Sequence, residues 1–329
     1  MRILRFISIA VLLWTPVVRL AAADAKWVHA SSAHFEMYAG QSESEIRAAL
    51  QHLEVVRAFF LNSTHSQDPG GQPVRVVVFQ SEGDSAKYRP SEYGAVSTYS
   101  LPGTPATIVS VGLKPENYEH IFREYCQLVL DQSAPKIPYW LRSGLAQFYS
   151  TLKPEDNKIK LGAAPARAFH THDGLNVDLI QLFGADRKMY LESSSRSSTE
   201  FYADTGNYAA LGARGAAATQ ALNSLETKAA QDYELPSWAL THMLMFSPTY
   251  RAKVGAFIGQ TSNGEETVAA FGSVYGRSLA DIRSDLSLYM RQAGLPVAEP
   301  AYKYEKPSAP AMKPATKAEV EALLASAGK

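Results

Sequence analysis

The chain has 329 residues, of which 46% are hydrophobic and 19% are charged, so it can bury a sizeable core and is not a disordered protein. Lys plus Arg and Asp plus Glu both number 32, and this balance argues against a nucleic-acid-binding protein, which needs a basic surface. The single cysteine, Cys126, excludes an internal disulfide and a zinc site built from cysteines.

Residues 1–23 have the pattern of a secretory signal. Two arginines precede an apolar stretch at 7–18, which is shorter than the ~20 residues of a membrane-spanning helix. Small residues at 21–23 then fit a signal-peptidase site. We therefore predict a removed signal peptide and an exported chain, periplasmic or extracellular, with no membrane span after cleavage. Arg19, close to the cleavage site, leaves an uncleaved N-terminal anchor as the alternative.

After the signal, the pattern predicts a small mixed sheet with one long helix. Alternation over 34–38 is typical of a half-buried strand, and the β-branched run at 74–79 is typical of an interior strand. The stretch at about 43–61 carries apolar residues at helical spacing. Two further strands are predicted at 94–99 and 106–111, on either side of a hairpin-like turn.

The rest of the chain is predicted to be mainly helical. Helices are expected at about 116–130, 139–151, 237–246, 250–258, 265–271 and 279–292. The weakly patterned stretch at about 186–231 is interpreted as an insertion. The sequence thus predicts an α+β fold with one domain over 24–293, in which a helical region follows the sheet. Prolines beyond residue 295 predict a mobile, extended linker over 294–329 that ends in a short helix at about 317–324.

Two neighbouring helical segments carry the most informative motif. One reads Ile-Phe-Arg-Glu-Tyr-Cys-Gln-Leu from residue 121, and the next reads Tyr-Trp-Leu-Arg-Ser-Gly-Leu-Ala-Gln-Phe-Tyr-Ser from residue 139. Together they resemble the gluzincin zinc peptidases, in particular the exported bacterial peptidase-MA-like family, which carries His-Glu-x-x-His and then Trp-Leu-x-Glu-Gly-Leu-Ala. The segment 233–242 is similar to the family's next helix. The resemblance extends over about 27–292 and implies a gluzincin-like fold.

In that family, two histidines on one helical face and a glutamate from the following helix hold zinc, while a second glutamate activates the metal-bound water. When the sequence is aligned with these family motifs, Arg123 and Gln127 stand at the two histidine positions, and Ser143 stands at the position of the glutamate ligand. Only Glu124, at the general-base position, matches the family. The resemblance therefore implies a zinc-peptidase scaffold without its metal ligands, and we expect no metal and no other cofactor.

The Arg123 side chain admits two interpretations. In the first, its guanidinium fills the vacated metal position and pairs with Glu124 or hydrogen-bonds Gln127 and Ser143. Such a cleft is suited to a peptide carboxylate, because the arginine fork matches that group. In the second, Arg123 points to solvent and the cleft has closed. The sequence does not decide between them.

Four other residues are candidates for a site. His170 and His172 would lie on the same side of an extended segment and could form part of a rebuilt metal site. His242 lies on the segment that resembles the family's next helix, and we interpret it first as a packing histidine. Tyr233 corresponds to a hydroxyl that gluzincins often place opposite the metal, and without metal we expect it to pack in the core.

Three functions are consistent with the sequence. The first is a zinc-less, catalytically inactive and exported pseudopeptidase that binds a peptide or protein ligand. The second is an active gluzincin-type metallopeptidase whose metal site has been rebuilt from Glu124, His170, His172 or His242. The third is a structural module whose cleft has no ligand and whose C-terminal tail makes the contacts. No nucleic-acid partner is expected in any of them.

Overall fold

The computed structural model describes residues 27–327 apart from 69–70, 94–95, 102, 104, 157, 165–176 and 192–232. The predicted signal and most of the predicted insertion lie outside these residues. The fold is α+β, as the sequence predicts: a mixed sheet formed mainly by the N-terminal half is followed by a helical region. Among the described helices, none combines the length and the apolar character needed to cross a membrane.

A six-stranded mixed sheet organises the N-terminal half. The strands are β1 (Trp27–Ser31), β2 (Phe35–Ala39), β3 (Val74–Phe79), β4 (Tyr99–Leu101), β5 (Thr107–Val111), β6 (Lys153–Glu155), β7 (Lys158–Lys160) and β8 (Ala311–Ala315). The order in the main sheet is β4-β5-β3-β2-β1-β8, and β6 pairs separately with β7. Strand β3 is parallel to both of its neighbours, and nearly all of its residues are buried. Its predicted interior position is therefore confirmed.

Helices cover the sheet and form the rest of the described chain. They are α1 (Glu43–Thr64), α2 (Glu82–Ser85), α3 (Pro115–Ser133), α4 (Tyr139–Ser150), α5 (Leu179–Gly184), α6 (Glu234–Phe246), α7 (Val254–Ser262), α8 (Thr267–Tyr275), α9 (Leu279–Met290) and α10 (Lys317–Ala327). The predicted helices are present, with ends shifted by no more than about one turn. Helix α1 begins with a capping box, in which Ser42 and Glu45 each accept from the other's backbone N–H.

Helices α1 and α3 pack on one face of the sheet. Alternate residues of β2 are fully buried against this layer, including Phe35. The ring centroids of Phe35 and Tyr125 are 5.4 Å apart, and those of Phe60 and Phe122 are 5.9 Å apart. These aromatic contacts anchor α3 and so fix the direction of its remaining side chains.

The C-terminal segment covers the opposite face of the sheet. Val320 and Leu324, one helical turn apart on α10, are buried in a second apolar cluster with Trp27, Val77 and Val109. Both faces of the central strands are therefore covered, which removes from water the side chains on both sides of the β3 pleat.

The prediction of a linker is wrong for residues 311–315. The predicted short helix is present as α10, but the preceding residues form β8, which pairs antiparallel with β1. Its proline content conceals this strand in the sequence. Pro314 is tolerated because β8 is the last strand of the sheet, where a missing N–H does not interrupt the ladder.

The strand predicted at 94–99 is displaced towards the C-terminus. Strand β4 runs from Tyr99 to Leu101, and residues 94–95 lie outside the described part of the chain. Antiparallel pairing with β5 sets its register, with Tyr99 opposite Val109 and Leu101 opposite Thr107. This pairing extends the strand into the segment that the sequence predicts as a turn.

Candidate functional site

Helices α4 and α6 approach closely because residue 144 is glycine. A Cβ atom at Gly144 would lie less than 3.0 Å from both the Thr241 hydroxyl oxygen and the Ser237 carbonyl oxygen. The Gln147 side-chain amide also donates to the Glu234 carbonyl oxygen at 3.0 Å. The first turn of α6 is thereby held against α4, on the side that carries Ser143.

A cavity of about 40 Å³ lies where α3 and α4 meet α6 and β4. Its wall includes Arg123, Glu124 and Gln127 from α3 and Ser143 from α4. The structure therefore brings together the four residues that stand at the general-base and metal-ligand positions of the resemblance. The other residues in the wall are Tyr93, Val96, Thr98, Tyr99, Tyr139, Arg187, Tyr190, Leu191 and Glu234. We call this space the Arg123 cavity.

Arg123 lines the cavity and is largely buried. Its side chain is only 17% exposed; Nε lies 3.9 Å from a Glu124 carboxylate oxygen, and an Nη atom lies 3.5 Å from a Glu234 carboxylate oxygen. Burial opposes the charge, but attraction to Glu234 and Glu124 outweighs it and keeps the pKa of Arg123 above its ordinary value. The interpretation in which Arg123 points to solvent is therefore wrong. In the part of the chain that the structure describes, the Arg123 guanidinium is near the carboxylates of Glu124 and Glu234, and no hydrogen bond joins it to Gln127 or Ser143.

Glu124 is nearly fully buried beside Arg123. Burial raises the pKa of its carboxyl group, while the charge of Arg123 and a hydrogen bond with the Ser100 side chain oppose the rise. The side chain of Ser143 accepts a hydrogen bond from the Gln147 amide at 3.1 Å. Both groups are thus held by polar neighbours within the fold.

The structure adds two charged residues that the sequence analysis did not name. Glu234, at the start of α6, supplies the second carboxylate near Arg123. Arg187, in a helical turn at 187–191, supplies a second guanidinium, which donates to the Tyr93 hydroxyl at 2.8 Å. The sequence offered one signal for Glu234, which is a charged residue at the start of an otherwise apolar helix. Arg187 lies in a weakly patterned stretch, and we find no sequence signal for it.

Tyrosine rings form the apolar part of the wall. Tyr139 and Tyr190 meet edge to face with centroids 4.7 Å apart. Tyr233 stacks on Tyr190 at 5.0 Å, and its hydroxyl accepts from the Gln181 amide at 2.9 Å. Tyr233 therefore supports the wall through Tyr190 and does not itself line the cavity.

His242 lies outside the cavity wall and is completely buried. Its Nε2 donates to the Gly162 carbonyl oxygen at 2.9 Å, so its Nδ1 accepts from the Tyr289 hydroxyl at 2.7 Å. Burial lowers the pKa of His242 to about 4, which keeps the ring neutral at pH 7. Both ring nitrogens are satisfied, and His242 is a packing residue in this fold.

The residues around the cavity do not fit zinc. Catalytic zinc sites use three protein ligands, whereas the three corresponding positions here hold a cation, an amide and a hydroxyl. Among the described residues, no group of three or more His, Cys, Asp or Glu is arranged to hold a metal ion. His170 and His172 lie outside that part of the chain.

Comparison with known proteins adds no relative. No family model matches the chain, and no curated protein matches it significantly. The resemblance to gluzincins therefore depends on the motifs quoted above.

Proposed function

We propose that this chain is an exported pseudopeptidase of gluzincin-like architecture, without zinc and without peptidase activity, that binds a peptide or protein ligand at the Arg123 cavity. One observation carries the proposal. Arg123, Gln127 and Ser143, which stand at the three metal-ligand positions of the resemblance, line a single cavity. Export is proposed from the signal-like pattern of residues 1–23.

Electrostatics support the absence of zinc from this cavity. Two unit charges 4 Å apart interact with ~4 kcal/mol at an effective dielectric constant near 20, so a dication beside Arg123 costs roughly twice that. The two carboxylates of the wall do not leave a net negative charge to offset this cost, because two guanidinium groups balance them. Glu124 has Arg123 as its charged neighbour at 3.9 Å. A carboxylate in that pairing is poorly placed to activate water for hydrolysis.

The character of the cavity favours binding over a purely structural role. Its wall combines two guanidinium groups and two carboxylates with tyrosine rings. A few polar groups placed among aromatic side chains are typical of ligand sites in proteins. A module with only a structural role gains more from an apolar filling, because buried charges are costly to desolvate.

Incubation with a peptide mixture tests this function. The purified mature chain is mixed with synthetic decapeptides of random sequence in the presence of zinc; bound peptides are measured by equilibrium dialysis and cleavage by mass spectrometry. We expect peptides that are retained and uncleaved. Cleavage that a chelator abolishes would favour a rebuilt metallopeptidase, and peptides that are neither retained nor cleaved would favour the structural module.

A further inference from the structure

The donors of Arg123 are poorly satisfied for a buried guanidinium. In the part of the chain that the structure describes, Nε is buried and has no hydrogen-bond partner. The nearest carboxylate oxygens, on Glu234 and Glu124, are 3.5 and 3.9 Å away. Charge-assisted N–H···O bonds are normally about 2.7–2.9 Å long, so neither ion pair satisfies the hydrogen-bond donors of the Arg123 guanidinium. A buried donor without a partner calls for a specific explanation.

Arg187 brings a second guanidinium to the same cavity. It donates to the Tyr93 hydroxyl at 2.8 Å, and its guanidinium carbon lies 5.7 Å from the centroid of the Tyr93 ring. Among the described residues no carboxylate is in ion-pair contact with it. Arg187 is exposed, whereas Arg123 is not. The cavity wall therefore includes one largely buried guanidinium and a second one from a residue that is exposed to solvent.

The size of the cavity limits what can enter. One water molecule needs about 10–15 Å³ of such space, so a volume of about 40 Å³ accepts roughly three water-sized groups. A carboxylate has three heavy atoms, is planar and suits the arginine fork. A whole amino-acid residue is too large, and the remainder of the ligand has to stay outside the mouth.

We infer that the Arg123 cavity binds a carboxylate of a peptide ligand between the guanidinium groups of Arg123 and Arg187. This inference rests on the proposed function and names the chemical group that the cavity recognises. The carboxylate accepts hydrogen bonds from the Nη groups of Arg123, because Nε is fully buried, and the charges of Arg123 and Arg187 together offset the repulsion from Glu124 and Glu234. It belongs either to the C-terminus of the peptide or to an acidic side chain, and both sources offer the same group.

Three N-acetylated pentapeptides of alanine and serine separate these sources. One has a free C-terminal carboxylate, one is amidated, and one is amidated with a central aspartate. Their affinities for the wild-type chain are measured by isothermal titration calorimetry, then repeated on Arg187→Gln. Because Arg187→Gln also removes the hydrogen bond to the buried Tyr93 hydroxyl, the free energy of unfolding of this variant is measured in parallel. Arg283→Gln, which removes an exposed arginine from α9, is the control for a general loss of charge.

We expect the free acid to bind at least about tenfold more tightly than the neutral amide, which corresponds to ~1.4 kcal/mol. Arg187→Gln is expected to weaken the acid by a similar factor and leave the amide unchanged, while Arg283→Gln has no effect. Tighter binding of the aspartate peptide than of the free acid would support the carboxylate and assign it to a side chain, and equal affinity of the two would support the carboxylate without a preference for either source.

Three results would overturn the inference. Equal affinity for all three peptides, or no effect of Arg187→Gln, would reject the carboxylate and leave the proposed peptide binding in place. Failure of every peptide to bind the wild-type chain would count against the carboxylate site and the proposed function together.

Discussion

Replacing Gly144 by alanine tests the close packing that assembles the cavity. The new Cβ would lie closer than 3.0 Å to the Thr241 hydroxyl and to the Ser237 carbonyl oxygen. The hydroxyl can rotate away, but the carbonyl belongs to the backbone of α6. Helix α6 must therefore move, and it carries Glu234 with it.

The magnitude follows from two opposing terms. Overpacking in a dense core costs about 1–3 kcal/mol, and contact with backbone places this site at the upper end. Alanine regains up to about 1 kcal/mol of helix propensity. We expect Gly144→Ala to lower the free energy of unfolding by about 2 kcal/mol. The same substitution at Gly259, an exposed position on α7 with no atom within 4 Å of its Cβ, is expected to raise it by about 0.5–1 kcal/mol.

Urea unfolding followed by tryptophan fluorescence measures both variants. Trp140 on α4 and Trp238 on α6 are two of the four tryptophans of the chain and are completely buried, so unfolding of these two helices contributes to the signal. The two substitutions are expected to change the free energy of unfolding in opposite directions. If Gly144→Ala were as stable as the wild type, or more stable, the close contact between α4 and α6 would be refuted, and with it the placement of Glu234 beside Arg123.

Three further outcomes are expected. Leu324→Ala should lower the free energy of unfolding by about 2–5 kcal/mol in urea titrations, because α10 covers the sheet. The control Leu288→Ala, at an exposed position, should change it by no more than about 0.5 kcal/mol, and equal effects of the two substitutions would contradict the packing of α10 on the sheet. In the unfolded chain, His242 takes up a proton as the pH falls below about 6.5, whereas in the folded chain its pKa is about 4. Because the unfolded state binds the proton more readily, the free energy of unfolding should fall by about 2 kcal/mol between pH 7 and pH 5 from this residue. His242→Gln should remove that part of the pH dependence, and an unchanged slope would contradict the buried neutral ring. Cys126 is buried and its thiol pKa is raised well above the ordinary value, so it should react with a disulfide reagent only after unfolding; rapid labelling of the native chain would contradict this.

The sequence predicted those parts of the fold that depend on local pattern. The β-branched run of β3 and the apolar periodicity of α1 and α3 each identify an element whose side chains alone indicate its burial. Strand β8 escaped prediction because its pairing with β1, at the opposite end of the chain, outweighs its prolines. Such non-local pairing leaves no periodic signal in a short segment.

The candidate site was predictable only in part. Arg123, Glu124, Gln127 and Ser143 were identified from the resemblance of two helical segments to the gluzincin motifs. The direction of the Arg123 side chain depends on Glu234, which reaches the cavity only through the packing of α6 on α4. Arg187 arrives from a stretch without periodicity, and its role depends entirely on tertiary structure.

Zinc content tests the central claim most directly. The wild-type chain and the variant Arg123→His/Gln127→His/Ser143→Glu, which restores the three ligand types of the resemblance, are dialysed against micromolar zinc and measured by elemental mass spectrometry. We predict a wild-type chain without stoichiometric zinc and a variant with about one zinc ion per chain. One zinc ion per wild-type chain would contradict the zinc-less pseudopeptidase, and a folded variant that stays empty would contradict the gluzincin frame on which the proposal stands.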